Sequence, residues 1–214
     1  MNRPELIYVG DPMCSWCFGF APVMRALHES FIDRLDMRIV VGGLRTGPDQ
    51  IVDEDRIQFL RTHWQQVSQR TRQRFNTDIL ASTGWLYDTE LACRAVVAMR
   101  RLQPGVVFEY FERVQTNFYQ GNQDPARVET YAAAAERFDV TPATFRDCYE
   151  DPVTIAETAR DFMWASRIGV RGFPAVLLYD GEQYAALTLG YQDQLPLVSA
   201  LEGWLAESSR TSTS

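Results

Sequence analysis

The chain contains no lysine: all 21 of its basic residues are arginine. It also lacks a basic excess, with a formal net charge of -7 and a pI of about 4.9. Nucleic acids and anionic membrane surfaces attract basic patches, so this balance argues against both as partners. Long apolar runs are missing too. The opening run, Leu6 to Val9, is too short for a membrane span or a secretory leader, and a cytoplasmic location is expected. Cysteine is scarce, with only Cys14, Cys17, Cys93 and Cys148. Four cysteines in 214 residues do not make a disulfide framework, and a reducing compartment would open one. The two histidines, His28 and His63, have no ligand spacing, so a zinc site would have half its ligands at Cys14 and Cys17 and lack the rest.

What the chain does have is apolar bulk. It is 46% hydrophobic and 12% aromatic, enough to bury a core without staples. Leu6-Ile7-Tyr8-Val9 reads as a buried strand closed by Gly10-Asp11-Pro12. A helical pattern follows from about Cys14, and Leu35 to Val41 reads as a second strand. Strand, helix and strand make a βαβ unit with parallel strands and a right-handed crossover. Residues 52–168 then show no convincing strand. Val107, Phe111, Val114 and Phe118 repeat at helical spacing, as do Val128, Tyr131, Ala135 and Phe138. Asp124-Pro125, Thr141-Pro142 and Asp151-Pro152 mark helix starts, because proline at the first helical position gives up an N–H that had no partner. Five or six helices are expected in this stretch.

Strands return at Ala175 to Tyr179 and Tyr184 to Leu189, across an Asp180-Gly181 turn, and a last helix is expected from Asp193 to Ala206. The expected architecture is therefore α/β. A thioredoxin-like core (1–50 and 169–207) carries an all-helical domain (51–168) inserted between its βαβ and ββα halves. Residues 208–214 carry no apolar side chain and are expected to form a frayed tail.

The chemistry concentrates in Asp11-Pro12-Met13-Cys14-Ser15-Trp16-Cys17, where the first strand meets the first helix. A Cys-x-x-Cys near a βαβ pattern reads as a redox motif. Cys14 would sit at the helix N-terminus, where unpaired N–H groups and the helix dipole favour the thiolate, the nucleophilic form. Cys17 lies about one turn on, on the same face, and can reach back to resolve a mixed disulfide. Phe173-Pro174, just before an apolar strand, is expected to be a cis peptide in a tight turn. There it would pack beside the cysteines, with Phe173 free to pair with an extended substrate. Cys93 and Cys148 read as buried structural cysteines.

These motifs resemble the DsbA-like branch of the thioredoxin superfamily over about residues 5–207. The Asp-Pro-x-Cys-x-Trp-Cys stretch and Val41-Gly42-Gly43-Leu44 are similar to the cytoplasmic FrnE-like group, described as predicted protein-disulfide isomerases. The resemblance implies that Cys14 attacks, Cys17 resolves and Pro174 is the cis-proline. The Ser15-Trp16 dipeptide departs from the Pro-His of periplasmic DsbA, so no histidine between the cysteines stabilises the thiolate. A less oxidising potential, suited to reduction or isomerisation, is expected.

The expected function is a thiol–disulfide oxidoreductase or isomerase. Its partners would be a disulfide-containing protein or glutathione, together with a cellular thiol reductant. No cofactor is expected beyond glutathione as a co-substrate. Ser15, Trp16, Gly43, Arg45 and Phe173 are the candidate substrate contacts. Gly43 and Arg45 follow the second strand, on the sheet edge where such folds bind ligands. Arg45 could attract a glutathione carboxylate or remain a solvated loop residue, and Asp11 could accept a proton from Cys17 or cap the helix. Phe18, Trp64, Trp85 and Trp164 read as packing residues, and His63 as a helix surface residue. Two other functions stay open. One is a glutathione-dependent transferase or isomerase of the kappa or 2-hydroxychromene-2-carboxylate isomerase type, a branch that typically carries Ser in place of Cys14. The other is a non-catalytic peptide-binding module.

Overall fold

The structure, a computed structural model, describes residues 3–211. Strand β1 (Glu5–Gly10), helix α1 (Ser15–Phe31) and strand β2 (Asp36–Val41) form the first unit. Six α-helices follow: α2 (Glu54–Thr71), α3 (Thr89–Leu102), α4 (Val107–Tyr119), α5 (Val128–Ala135), α6 (Pro142–Glu150) and α7 (Pro152–Arg167). Strands β3 (Ala175–Tyr179) and β4 (Tyr184–Leu189) and helix α8 (Gln194–Thr211) close the fold. Among the described residues the helical stretch contributes no strand, only the isolated bridge Ile51–Leu86.

The sheet order is β2-β1-β3-β4. β1 runs parallel to β2 and antiparallel to β3, and β3 runs antiparallel to β4. Central β1 is covered on both faces, which explains why Leu6 to Val9 are all apolar and buried instead of alternating with polar residues. Successive side chains still point to opposite sides. Leu6 and Tyr8 join Leu27 of α1 and Leu201 of α8 in the larger core. Ile7 and Val9 meet Val40, Leu177 and Ala165 of α7 in the smaller one. Each such side chain contributes about 1.5–3 kcal/mol by leaving water.

The helical stretch is fastened to the sheet by polar contacts as well. Asp161 of α7 accepts the Val41 N–H at 3.0 Å and holds Arg100 of α3 through both carboxylate oxygens, at 2.7 and 3.2 Å. Arg100 also donates to the Ile39 carbonyl at 2.9 Å. Two helices are thereby fixed against the end of β2.

Two of the three proline-marked helix starts match the expectation. Thr141 caps α6 by accepting the Thr144 N–H, and Asp151 caps α7 by accepting the Val153 N–H. The third start falls later. The Asp124 carboxylate accepts the Ala126 N–H at 2.9 Å in an Asx turn, Arg127 is extended, and α5 begins at Val128. At the other end, α8 runs past the expected stop. Residues 208–211 are helical, not frayed, since Ser, Arg and Thr tolerate a helix already nucleated upstream. Residues 212–214 of the expected tail lie outside the described residues.

Candidate active site

The turn that leaves β1 fixes the first cysteine. Asp11 accepts the Cys14 N–H through its carbonyl at 3.0 Å and the Met13 N–H through its carboxylate at 2.8 Å. Cys14 then adopts the extended backbone of an N-cap residue (φ -84, ψ 118) with no side-chain cap bond. The N–H groups of the first helical turn are therefore uncapped beside the sulfur, the setting that favours an anion. Cys14 is 5% exposed and Cys17 0%, so a reagent from solvent meets Cys14 first. All four cysteines carry free thiols.

Phe173-Pro174 is cis, as expected, and the Cys14 thiol faces the Phe173 carbonyl at 3.6 Å. Residues 159 apart in sequence thus meet at one sulfur. Proline at 174 brings no N–H of its own, and its carbonyl accepts the Gly190 N–H at 2.7 Å. The Phe173 ring lies against Gly42. A Cβ on Gly42 would come within 2.1 Å of that ring, so any other residue would have to displace it. Gly43, with φ +67, turns the chain away under the Phe162 ring.

Burial pushes the Cys17 thiol well above the usual thiol range, and the neighbouring Cys14 adds to the effect. The buried Tyr8 hydroxyl acts the other way. Burial thus favours the protonated form of Cys17.

Asp11 does not cap α1, one of the two roles considered for it. It accepts the Met13 and Leu44 N–H groups, the latter at 2.7 Å, and meets the Cys93 thiol at 3.5 Å. Burial raises its pKa, and these hydrogen bonds offset part of that rise. Asp11 thus clasps the cysteine turn, the loop after β2 and helix α3 together.

Sequence reasoning missed two tyrosines. The hydroxyls of Tyr87 and Tyr119 both donate to the Met13 carbonyl, at 2.8 and 2.5 Å, and occupy both of its lone pairs. They lie 74 and 106 residues away, so no local pattern announces them.

The remaining candidates fall into two groups. Ser15 is buried, whereas Trp16 is half-buried on the rim, with its ring 6.2 Å from His63 and 5.7 Å from Tyr191. His63 is thus more than a surface residue. Gly43 and Arg45 lie in the loop after β2. The Arg45 guanidinium sits 5.9 Å over the Tyr87 ring, and its backbone N–H donates to Thr89 at 3.1 Å. Phe18, Trp64, Trp85 and Trp164 pack as expected. Cys93 is fully buried on α3, and burial raises its pKa strongly. Cys148, on α6, contacts the Ala98 carbonyl at 3.6 Å. No three His, Cys, Asp or Glu side chains converge as a ligand set among the described residues.

Comparison with known proteins bears on this geometry. The DSBA-like thioredoxin domain profile matches residues 5–202. The chain belongs to that family. Its members are thiol–disulfide oxidoreductases, and the fold here is the DsbA-like thioredoxin fold with its helical insertion. A candidate protein disulfide isomerase from Nitrosomonas europaea is 30% identical with a TM-score of 0.89, covering 96% of this chain and 99% of that one. The cytosolic disulfide reductase DsbM from Pseudomonas aeruginosa is 24% identical with a TM-score of 0.77, covering 94% and 98%. The same protein solved with GSH is 25% identical with a TM-score of 0.75, covering 94% and 99%. A comparison with curated proteins returns no match. No helix among the described residues is long and apolar enough to cross a membrane.

Proposed function

We propose that this DSBA-family chain is a cytoplasmic thiol–disulfide oxidoreductase working through Cys14 and Cys17. The observation that carries the reading is the asymmetry of the pair. Cys14 is the more exposed sulfur, at a helix N-terminus and against the Phe173 carbonyl, while Cys17 is sealed beneath it. The Cys14 thiolate attacks one sulfur of a substrate disulfide. A Cys14–substrate disulfide forms, and the other substrate sulfur leaves as a thiolate. Cys17 then attacks the Cys14 sulfur. The second substrate sulfur leaves and takes up a proton, and Cys17 gives up its own. The substrate gains two electrons, the pair becomes a disulfide, and a cellular thiol reductant restores it. In the isomerase mode a different thiolate of the substrate attacks the substrate sulfur held by Cys14 before Cys17 acts, so a new substrate disulfide forms and the Cys14 thiolate is released. The Phe173-Pro174 turn, Trp16 and Ser15 border the entering chain, with Gly43 and Arg45 behind.

The name of the DsbM structure solved with GSH supports glutathione, or a glutathionylated protein, as a partner. It also supports a second reading, a glutathione-dependent transferase that uses Cys14 alone. The deciding experiment is Cys17→Ser with a disulfide substrate, followed by mass spectrometry. The oxidoreductase reading expects a trapped Cys14 mixed disulfide and loss of turnover. Full turnover by Cys17→Ser would favour the transferase, and peptide binding that survives Cys14→Ser, with no turnover by either protein, would favour a binding module.

A further inference from the structure

Helix α2 presents Arg56, Phe59 and His63 at i, i+3 and i+7, on one face. That face lines up beside the cysteine turn. The His63 ring meets Trp16 edge-on at 6.2 Å, Phe59 stacks on His63 at 5.3 Å, and the Arg56 guanidinium lies 5.8 Å over Phe59. A row of rings therefore leads from the residue between the two cysteines to a guanidinium. Phe59 is 50% exposed, so the row is open to solvent. From the loop after β2, Arg45 brings a second, half-buried guanidinium into the same neighbourhood.

Neither Arg45 nor Arg56 is ion-paired with a carboxylate among the described residues. The contrast within α2 is instructive. Arg70, two turns beyond His63, is held by both oxygens of Asp193, at 3.0 and 2.7 Å. Asp53, Glu54 and Asp55 open α2 beside Arg56, yet none of them is ion-paired with either guanidinium, so both forks stay open to an outside anion near the cysteine turn. Burial, and then the charge of Arg56, draw the Arg45 pKa down. Burial, and then Arg45, also lower the pKa of His63, which favours its neutral form and its ring as a flat stacking surface. A guanidinium fork matches a carboxylate in shape and charge.

We propose that Arg45 and Arg56 form a subsite for a carboxylate carried by the disulfide substrate, with the Trp16–His63–Phe59 row bearing the chain between that carboxylate and the sulfur. The inference rests on the oxidoreductase reading and adds a substrate class to it: acidic, peptide-like disulfides. The carboxylate belongs either to a small peptide such as glutathione or to an acidic residue of a longer chain.

The test compares kcat/KM for matched substrates. One pair is glutathione disulfide and its methyl ester. The other is a disulfide-bearing nonapeptide with Glu or Gln placed three residues from the cysteine. Wild-type protein is expected to favour the acid of at least one pair by about tenfold, equivalent to about 1.4 kcal/mol. That preference should fall to within about twofold in Arg56→Gln and Arg45→Gln, and shrink in high salt. Preference in the first pair alone identifies a glutathione-type substrate, and in the second alone an acidic protein chain. Arg146→Gln, on α6, should keep the preference intact. Turnover of every substrate with no acid preference, or a preference that neither Gln variant moves, would overturn the subsite and leave the redox reading standing. No turnover of any disulfide would remove both.

Discussion

The two pairs of cysteines in this chain have opposite settings. Cys14 and Cys17 stand at the start of α1, where the backbone N–H groups are uncapped and the Phe173 turn closes over the outer sulfur. Cys93 lies inside α3, with its N–H consumed by the helix and its thiol facing the Asp11 carboxylate. Cys148 sits in α6 against the Ala98 carbonyl and the Thr154 hydroxyl. A negative neighbour and full burial hold Cys93 as a thiol, whereas a helix N-terminus favours the anion. Position on a helix, more than residue type, separates these settings.

The sharpest way to break the comparison is to exchange the nucleophile. Cys14→Ser should lower disulfide exchange by on the order of a thousandfold or more, measured by turnover of a fluorogenic disulfide. Next comes the clasp behind the pair. Asp11→Ala would leave the Met13 and Leu44 N–H groups buried without acceptors, and should cost about 2–4 kcal/mol in denaturant unfolding. Asp11→Asn adds a pH test. The folded pKa of Asp11 is raised by burial, so its contribution is present below the unfolded value and is lost as pH rises through the folded one. The stability of the wild type relative to Asp11→Asn should therefore fall as pH rises across that window.

Gly42→Ala pushes a methyl into the Phe173 ring. It should cost about 1–3 kcal/mol by overpacking and slow attack at Cys14, which faces the Phe173 carbonyl. A smaller effect follows from Cys17. Because its thiol is held well above the usual range, closure of a preformed Cys14 mixed disulfide should speed up by at most about tenfold per pH unit between pH 7 and 9. Stopped-flow decay of that species reads this directly. At the small end, Cys148→Ser should change turnover by less than about twofold.

The order of elements was legible because each half carries its own punctuation. Examples are Gly10-Asp11-Pro12 after β1, Thr141 and Asp151 before prolines, and Asp180-Gly181 between β3 and β4. Asp124-Pro125 misled because an Asx turn uses the same residues as a helix cap. The cysteine turn and the Phe173-Pro174 turn were readable as motifs, although their meeting is a product of the β1–β3 pairing. Tyr87 and Tyr119 on the Met13 carbonyl, Gly42 under Phe173 and His63 against Trp16 were not readable. Each depends on a contact between elements far apart in sequence. Only the α2 stripe Arg56, Phe59 and His63 left a trace, as spacing without a known neighbour.

Timed alkylation tests the central contrast most directly. Reduced protein is treated briefly with iodoacetamide at pH 7, quenched, and mapped by peptide mass spectrometry. Cys14 should be labelled first, at least about tenfold faster than Cys17, Cys93 or Cys148. Faster labelling at Cys93 or Cys148 than at Cys14 would contradict the assignment of the N-terminal end of α1 as the reactive centre.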